Sequence, residues 1–599
     1  MSYNLTVIKS DRIDTYKCNQ GSNLLNVLLD MDYDINAYCG GKGTCGKCKV
    51  KIISGSTEVT SQEKELLSDE QIEAGIRLAC KTEIKDDLKI QLPESDNIEV
   101  LTESILNDSN IDPGFKKFKI QIEKSSLEDQ RSYLKKIYDR LSLSRINIKA
   151  LKDLDNLNKE SLITVTVNSD NEIVQVETGD TIRDLYGIAV DIGTTTIVIY
   201  LVDLNTGKQV DTYSLYNPQK RYGADVISRI NYTIENEEGT KKLKEDLIKG
   251  LNQGINQLQL DNAIKREDIY KIAIAGNTVM LHTLLGMKVK SIANSPYVPL
   301  FTEELSLKPE KINLEINPEG IIEILPSISG YIGADIVGDM IAVNHNSEEK
   351  NINLIIDLGT NGEIVLDLGD KIYACSTAAG PALEGAKITH GMAGIPGAIS
   401  RFKLNGKVEY DTIKNKKPEG ICGSGLLDII SELYLHQIIN SRGSFVSSKE
   451  IPEEYRERLT SYRDMEAFII SENNNKGNNI VLTQKDIREV QLAKGAIQAG
   501  IEILLNEKNI KYEEIDNVYL AGGFGNYIDP HSACSINLIP EELKDKVKQI
   551  GNGAGTGAKM YLIDKAVKTF AKKLKNRVEY IELSKSQDFQ TKFMETMEF

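Results

Sequence analysis

Three cysteines, Cys39, Cys45 and Cys48, fall in a C-x5-C-x2-C run, and Cys80 follows 32 positions after the third. Four thiolates are what a two-iron, two-sulfur cluster requires, two on each iron. Gly40, Gly41, Gly43 and Gly46 crowd the same stretch. A loop that wraps a cluster must take unusual backbone angles and aim N–H groups at sulfur, and glycine allows both. Zinc also uses C-x2-C pairs, but zinc ribbons carry two of them, and here Cys80 stands alone. A disulfide framework does not suit a chain of 599 residues with eight cysteines whose start, MSYNLTVIKSDR, does not read as a secretory leader. The four cysteines are therefore expected to ligate a [2Fe–2S] cluster, while Cys18, Cys375, Cys422 and Cys534 are expected to be buried apolar side chains.

A second chemistry is written twice. Ala189–Tyr200 reads AVDIGTTTIVIY and Ile355–Leu366 reads IIDLGTNGEIVL, so Asp191, Gly193 and Thr194 fall on Asp357, Gly359 and Thr360 at a constant offset of 166. Each copy predicts a strand, a Gly/Thr turn opening on aspartate, and a second strand. Amides and hydroxyls of Gly193, Thr194 and Thr195, and of Gly359, Thr360, Asn361 and Gly362, could cradle phosphate oxygens. Asp191 and Asp357 could hold Mg2+ through water or position an attacking water. One such turn would be weak evidence, because aspartate also caps turns for purely local reasons. Glu363 reads equally as a general base for water or as a solvated strand residue. Ala521–Asn526 (AGGFGN) follows the strand Asn517–Leu520, and Gly522, Gly523 and Gly525 would let a purine and ribose lie against backbone. Gly330–Asp339 and Gly551–Met560 predict small-residue helices able to pack closely, as a hinge between lobes requires. The polar island Tyr216–Arg229 (with Gln219 and Arg221) lies close to the first hairpin. The small-residue loops Ala378–Ala386 (with Glu384) and Ile421–Gly425 (with Cys422) read as lining the nucleotide cleft or a partner's docking surface, or as close backbone packing.

The elements that must position these residues divide the chain into five parts. Residues 1–92 predict a small mixed α/β domain: an edge strand at Tyr3–Lys9, a serine-capped helix at Ser22–Asp30, the cysteine loop, the strand Lys49–Ile53, the helical Ser61–Leu67 and the strand Leu88–Leu92. Residues 93–114 hold six acids and no lysine or arginine, which predicts an extended linker. Residues 115–182 predict a small α/β domain, with a strand at Lys117–Glu123, a helix at Leu127–Leu141 and a strand pair at Leu162–Asn168 and Glu172–Glu177. Residues 183–345 and 346–599 are the two lobes around the repeated hairpins, the second returning to the first near its C-terminus. Within it, Leu492, Ala496, Gly500 and Leu504 predict the buried stripe of a helix at Arg488–Leu505. A net charge of −16 argues against nucleic acid, and no run of about 18 apolar residues occurs, which argues against a membrane span. A cytoplasmic protein is expected.

The order of strand, cluster loop and strand is similar to the β-grasp ferredoxin fold. The C-x5-C-x2-C spacing resembles hydroxylase-type more than plant-type ferredoxins. DIGTTT, GADIVGDM, DLGTNGE, AGGFG and GNGAGTGA resemble, in order, the phosphate-1, connect-1, phosphate-2, adenosine and connect-2 motifs of the ATPase superfamily of acetate and sugar kinases, heat-shock chaperones and actin. That resemblance implies a two-lobed, duplicated ribonuclease-H-like fold binding ATP and Mg2+. Ferredoxin, linker, small middle domain and ATPase together resemble the reductive activators of corrinoid proteins over nearly the whole chain. The family implies one-electron transfer from the cluster to an inactive Co(II) cobalamin, regenerating Co(I) in a methyltransferase system. It also implies a low-potential electron donor and a homodimer. The coupling is physically sensible: a plant-type [2Fe–2S] centre sits near about −400 mV, and each ~59 mV of shortfall costs tenfold in a one-electron equilibrium. Two other readings stand beside it, a small-molecule kinase with a fused ferredoxin and a non-enzymatic redox sensor that binds nucleotide.

Overall fold

The computed structural model describes residues 2–9, 12–31, 33, 35, 41, 43, 46–92, 111–157, 162–345, 351–385, 387–472, 479–523, 525–586 and 588–599. The N-terminal part is a five-stranded mixed sheet in the order Arg12–Asn19, Ser2–Lys9, Leu88–Gln91, Lys49–Ser54, Ile76–Leu78. Ser2–Lys9, expected at an edge, lies inside this sheet, antiparallel to Arg12–Asn19 and parallel to Leu88–Gln91. Its hairpin partner escapes a sequence reading because, among its described side chains, only Cys18 is buried. Helix Leu24–Asp30 lays Leu24, Leu25 and Leu28 into the core, and its cap is Asn23 rather than Ser22, the Asn23 side chain accepting from the Asn26 amide. This is the β-grasp ferredoxin fold.

Of the acidic stretch, residues 93–110 lie outside the described residues. Its end is anchored rather than extended: the Asp112 amide donates to Ile563 O at 2.8 Å, and Lys271 Nζ donates to Pro113 O at 3.1 Å. The sheet that follows runs Phe115–Gln121, Leu162–Asn168, Glu172–Thr178, Arg145–Ile146. Its first helix spans Tyr133–Leu141, shorter than expected. The Ser126 hydroxyl takes the amides of Glu128 and Asp129, and Arg131 pairs back onto Asp129, so these residues spend their hydrogen bonds on a turn.

Two larger sheets of equal topology carry the two lobes, and the second lobe adds two three-stranded sheets, one of Val408–Thr412, Ala398–Leu404 and Gly420–Ile421, the other of Leu459–Tyr462, Met465–Ser471 and Ile480–Thr483. In the first lobe the order is Gln209–Tyr216, Thr196–Asp203, Tyr186–Ile192, Ile269–Gly276, Ile321–Ile324, with the short Leu305–Leu307 outside. In the second it is Ile372–Thr377, Gly362–Asp367, Asn353–Leu358, Asn517–Ala521, Val547–Gly551. In each, an antiparallel meander leads into parallel strands, the arrangement of a duplicated ribonuclease-H-like ATPase. Val578–Tyr580 adds a further parallel strand beside Ile372–Thr377. Helix Gln484–Lys508 covers the second sheet. Ala496, Gly500 and Leu504 are buried in it, but Leu492 is half exposed, because the stripe curves away from that turn.

Helices Ala334–Asn344 and Gly553–Ile563 cross backbone to backbone between the sheets. A Cβ on Gly557 would stand 2.2 Å from Gly338 O, and one on Gly338 would stand 2.8 Å from Ala554 O. Gly553–Ile563 lies on the first lobe's sheet: a Cβ on Gly187 would stand 3.2 Å from Leu562. No helix among the described residues is long and apolar enough to cross a membrane.

Candidate functional site

The repeated hairpins face one another with their turns in one cleft. Asp191 sits near the end of Tyr186–Ile192, its strand neighbours being Val198 and Ala275. Asp357 holds the same place in the second lobe, beside Glu363 and Ala521. The first turn cannot carry a side chain at Gly193, where a Cβ would stand 2.5 Å from Thr196 O. Asn217 fixes it, donating from Nδ2 to Gly193 O at 2.8 Å and from its amide to Thr195 O at 2.9 Å. Asn277 donates to the Thr194 hydroxyl at 3.0 Å, and the buried Arg229 donates to Thr194 O. Burial lowers the Arg229 guanidinium to about 9. The hydroxyls of this turn are thus pre-set by partners behind them.

Five carboxyl groups converge on the cleft floor: Asp191, Asp335, Asp339, Asp357 and Glu363. Asp335 and Asp339 come from helix Ala334–Asn344, four residues apart and so on one face. Burial and mutual repulsion raise Asp191 to about 7 and Asp357 to about 8, and burial raises Asp335 to about 6. Asp339 and Glu363 are pushed well above the carboxylate range by burial and then by Asp357. Both oxygens of Asp339 are buried and meet no hydrogen-bond donor, and the charge of Asp357 adds to the effect of burial there. Such a cluster needs protons or a cation. No three of these groups are arranged as direct ligands of a single ion among the described residues. That suits Mg2+, which keeps several waters and takes one or two carboxylates plus substrate phosphates.

Asn552 joins the floor to the hinge. Its Nδ2 donates to Asp191 Oδ2 at 2.8 Å, while its Oδ1 accepts from the Gly555 amide at 2.6 Å and caps helix Gly553–Ile563. Glu384 stands between the two turns, where Thr195 Oγ1 donates to its Oε2 at 3.0 Å and Thr360 Oγ1 to its Oε1 at 3.1 Å. Gly522, with φ +90°, has no room for a Cβ, which would stand 2.5 Å from Asp357 Oδ1. Gly523 is exposed and faces open space, and Gly525 has ordinary room. Gly359 is similarly open, its amide donating to Asn361 O at 3.0 Å. Gly362 differs: a Cβ there would stand 2.8 Å from Ile497 and Thr377, so its smallness serves the packing of helix Gln484–Lys508. Sequence reasoning missed Asp335, Asp339, Asn552 and Glu384 as site residues. The i, i+4 aspartates of GADIVGDM were a usable signal; for Glu384 the signal was only its place in the small-residue loop Ala378–Ala386.

Of the expected cluster ligands, Cys39 and Cys45 lie outside the described residues. Cys48 and Cys80 are buried and adjacent in the fold, since the Ala79 amide donates to Cys48 O at 2.8 Å. Asn23 Nδ2 donates to Cys80 O at 2.9 Å, holding the second stretch to the helix cap. Gly41, Gly43 and Gly46 all take positive φ (81°, 80° and 65°), and a Cβ on Gly43 would stand 1.8 Å from the Lys81 side chain. The donor set and the glycine-built loop fit a [2Fe–2S] cluster. Cys18, Cys375, Cys422 and Cys534 are buried, as expected.

The ferredoxin part rests on both lobes. Arg221 Nη1, whose Nε binds Asp246, donates to Leu29 O at 2.9 Å. Lys47 Nζ donates to Gly391 O at 2.9 Å. Arg463 donates to Glu65 O at 2.9 Å and to Leu66 O at 3.4 Å.

Four family profiles match successive stretches: a 2Fe-2S iron-sulfur cluster binding domain over residues 8–85, the RACo linker region over 105–183, the RACo middle region over 186–348, and the C-terminal ASKHA domain of RACo over 351–599. The chain is 33% identical to the corrinoid activation enzyme RamQ of Eubacterium limosum, over 97% of this chain and 96% of that protein. It is 26% identical to the [Co(II) methylated amine-specific corrinoid protein] reductase of Methanosarcina barkeri, over 64% of this chain and 71% of that one. A solved reductive activator for corrinoid, iron-sulfur protein superposes with a TM-score of 0.74 at 32% identity, over 99% of this chain and 98% of that chain.

Proposed function

The chain belongs to the family of reductive activators of corrinoid proteins, and from that premise we propose how its residues divide the work. It is an ATP-dependent enzyme that reductively activates a corrinoid protein, and its cofactors are a [2Fe–2S] cluster, ATP and Mg2+. The reaction delivers one electron to Co(II) of the partner's cobalamin and leaves Co(I), ready for methyl transfer. Bound at Cys39, Cys45, Cys48 and Cys80, the [2Fe–2S] group supplies that single electron at low potential. Bound at the acid floor, Mg2+ supplies charge neutralisation for the nucleotide phosphates.

The rest is done by the chain itself. Thr194, Thr195, Thr360 and Asn361, with the amides of Gly193 and Gly359, hold phosphate oxygens from the two lobes at once. Gly522, Gly523 and Gly525 give the adenosine a backbone surface. Asp191 and Asp357 orient the hydrated ion, and Glu363 takes a proton from the attacking water. Asn552 reports the state of Asp191 to the hinge helix that it caps. The supporting observation is the acid floor: Asp339 is buried without a donor, which a protein tolerates where a cation completes the site.

We read the parts as a ferredoxin domain at 1–92, a linker at 93–114, a middle domain at 115–182, and lobes at 183–345 and 346–599. A separate low-potential electron donor, a homodimer and a cytoplasmic location complete the reading. The test is anaerobic. The reduced protein is mixed with a Co(II) corrinoid protein, and the visible spectrum is followed with and without Mg-ATP. The Co(I) band should appear only with ATP, and should be lost in Asp357→Ala and in Cys45→Ala. ATP consumption without any Co(I) would overturn the reading.

A further inference from the structure

Glu384 lies outside every motif that carries the nucleotide reading, yet it is the group that joins the two phosphate turns. Its carboxylate accepts one hydroxyl from each lobe, from Thr195 and from Thr360. These are two of the donors that a terminal phosphate would use. A carboxylate and a phosphate compete for the same hydroxyls, since both are anionic acceptors. Lys220, buried on the turn Pro218–Tyr222, supports negative charge at this point.

The segment bearing Glu384 also holds the ferredoxin domain. Gly385 and Gly391 touch backbone to backbone: a Cβ on Gly391 would stand 1.9 Å from Gly385 O, and one on Gly385 would stand 2.6 Å from Met392 O. A backbone shift at Glu384 and Gly385 would therefore press on Gly391 and Met392. Gly391 O is the acceptor of Lys47 Nζ, and Lys47 precedes Cys48. On the other side of the cleft, the Lys220 charge acts on Glu384, and the next residue, Arg221, reaches Leu29 O of the ferredoxin helix.

We propose that Glu384 is a positioning residue that occupies the phosphate acceptor position between Thr195 and Thr360, yields it to ATP, and in yielding loosens the grip of Gly391 and Arg221 on the ferredoxin domain. The nucleotide would then act on electron transfer by freeing the cluster-bearing domain from its seat on the lobes. This inference rests on the nucleotide reading given above. A ligand shifts such an equilibrium only by its differential affinity for the two states, so removing the competitor must tighten ATP binding.

The experiment uses the full-length, cluster-loaded protein under anaerobic conditions. ATP affinity and backbone hydrogen exchange of residues 24–31 and 46–49 are measured for the wild type, Glu384→Ala and Glu384→Gln. We expect Glu384→Ala to bind ATP on the order of three- to tenfold tighter, because the charge-assisted pair of hydrogen bonds no longer competes. Glu384→Gln, which still offers one acceptor oxygen, should fall between. In the wild type ATP should raise exchange in both segments, and in Glu384→Ala exchange should be raised before ATP is added. Unchanged or weaker ATP binding in both variants, with exchange in the wild type indifferent to ATP, would overturn the role of Glu384 while leaving the nucleotide site standing. Absence of ATP binding by the wild type would overturn both.

Discussion

Asp357 and Glu363 stand directly opposite one another in the antiparallel ladder of the second hairpin. In the first hairpin the residue opposite Asp191 is Val198. The repeat is therefore asymmetric where it matters for chemistry, with an acid pair in one lobe and a lone acid in the other. The turns differ as well. Ile192 pairs with Ile197 across a four-residue turn, whereas Leu358 pairs with Gly362 across three. A nucleotide held between them as proposed would meet two different walls.

Glu363→Gln should separate binding from hydrolysis. ATP affinity is expected to stay within a few-fold of the wild type, and single-turnover hydrolysis to fall by about 10²–10⁴, the range for losing a general base. An unchanged hydrolysis rate would remove Glu363 from the role of general base.

The acid floor sets a pH dependence with a definite sign. Asp191 and Asp357 titrate at about 7 and about 8 in the folded, metal-free chain, against about 3.9 for an unfolded aspartate. The folded state thus binds more protons than the unfolded state between those values. Their contribution to stability is fully present below about pH 4 and is lost as pH rises through 7 and 8. The melting temperature of metal-free protein should drop between pH 6 and pH 8.5. Added Mg2+ should recover more of it at pH 8.5 than at pH 6, because the ion binds the deprotonated carboxylates. A metal effect independent of pH would contradict this account.

Gly557→Ala tests the hinge. The added methyl would meet the carbonyl and Cα of Gly338, and backbone cannot turn aside as a side chain can. We expect a destabilisation of about 1–3 kcal/mol, typical of overpacking, read from denaturant unfolding. A larger fractional loss of ATP-dependent corrinoid reduction than of ATP binding should accompany it. Gly523→Ala, at an exposed glycine with open space around it, is the matched control for stability alone and should cost little in denaturant unfolding.

Cys80→Ala should abolish the visible absorption and the bound iron of the ferredoxin domain while leaving ATP affinity intact. Cys18→Ala, the other cysteine of that domain outside the ligand set, should retain the cluster. A cluster retained at full occupancy in Cys80→Ala would remove it from the ligand set.

Much of this was legible in the chain because the informative signals were local. The hairpins could be read since alternation, turn and aspartate all lie within a dozen residues and recur at a fixed offset. The middle strands Leu162–Asn168 and Glu172–Thr178 could be read for the same reason. Arg12–Asn19 could not, because its outward residues carry no apolar alternation. The convergence of Asp335 and Asp339 on Asp357 was hidden because it depends on how Ala334–Asn344 seats against Gly553–Ile563, a contact between segments some two hundred residues apart. Glu384 was hidden more deeply. Its meaning lies in two hydroxyls on opposite lobes, and no spacing within AAGPALEGA points to either.

The seating of Gly553–Ile563 on the first lobe bears on how the protein can be divided. Leu562 and Ile563 belong to the same apolar core as Ile188, Val190 and Ile272, and Lys271 Nζ donates to Leu562 O. Lys565–Arg577 follows along that lobe before the chain re-enters the second sheet as Val578–Tyr580. A polypeptide cut between residues 345 and 351, where the matched family regions meet, would leave the first half with bare sheet and Lys271 without its Leu562 acceptor. It would also leave the second half with two helices that have nothing to lie on. The halves should be insoluble when made apart and should reassemble when made together, since each supplies what the other lacks.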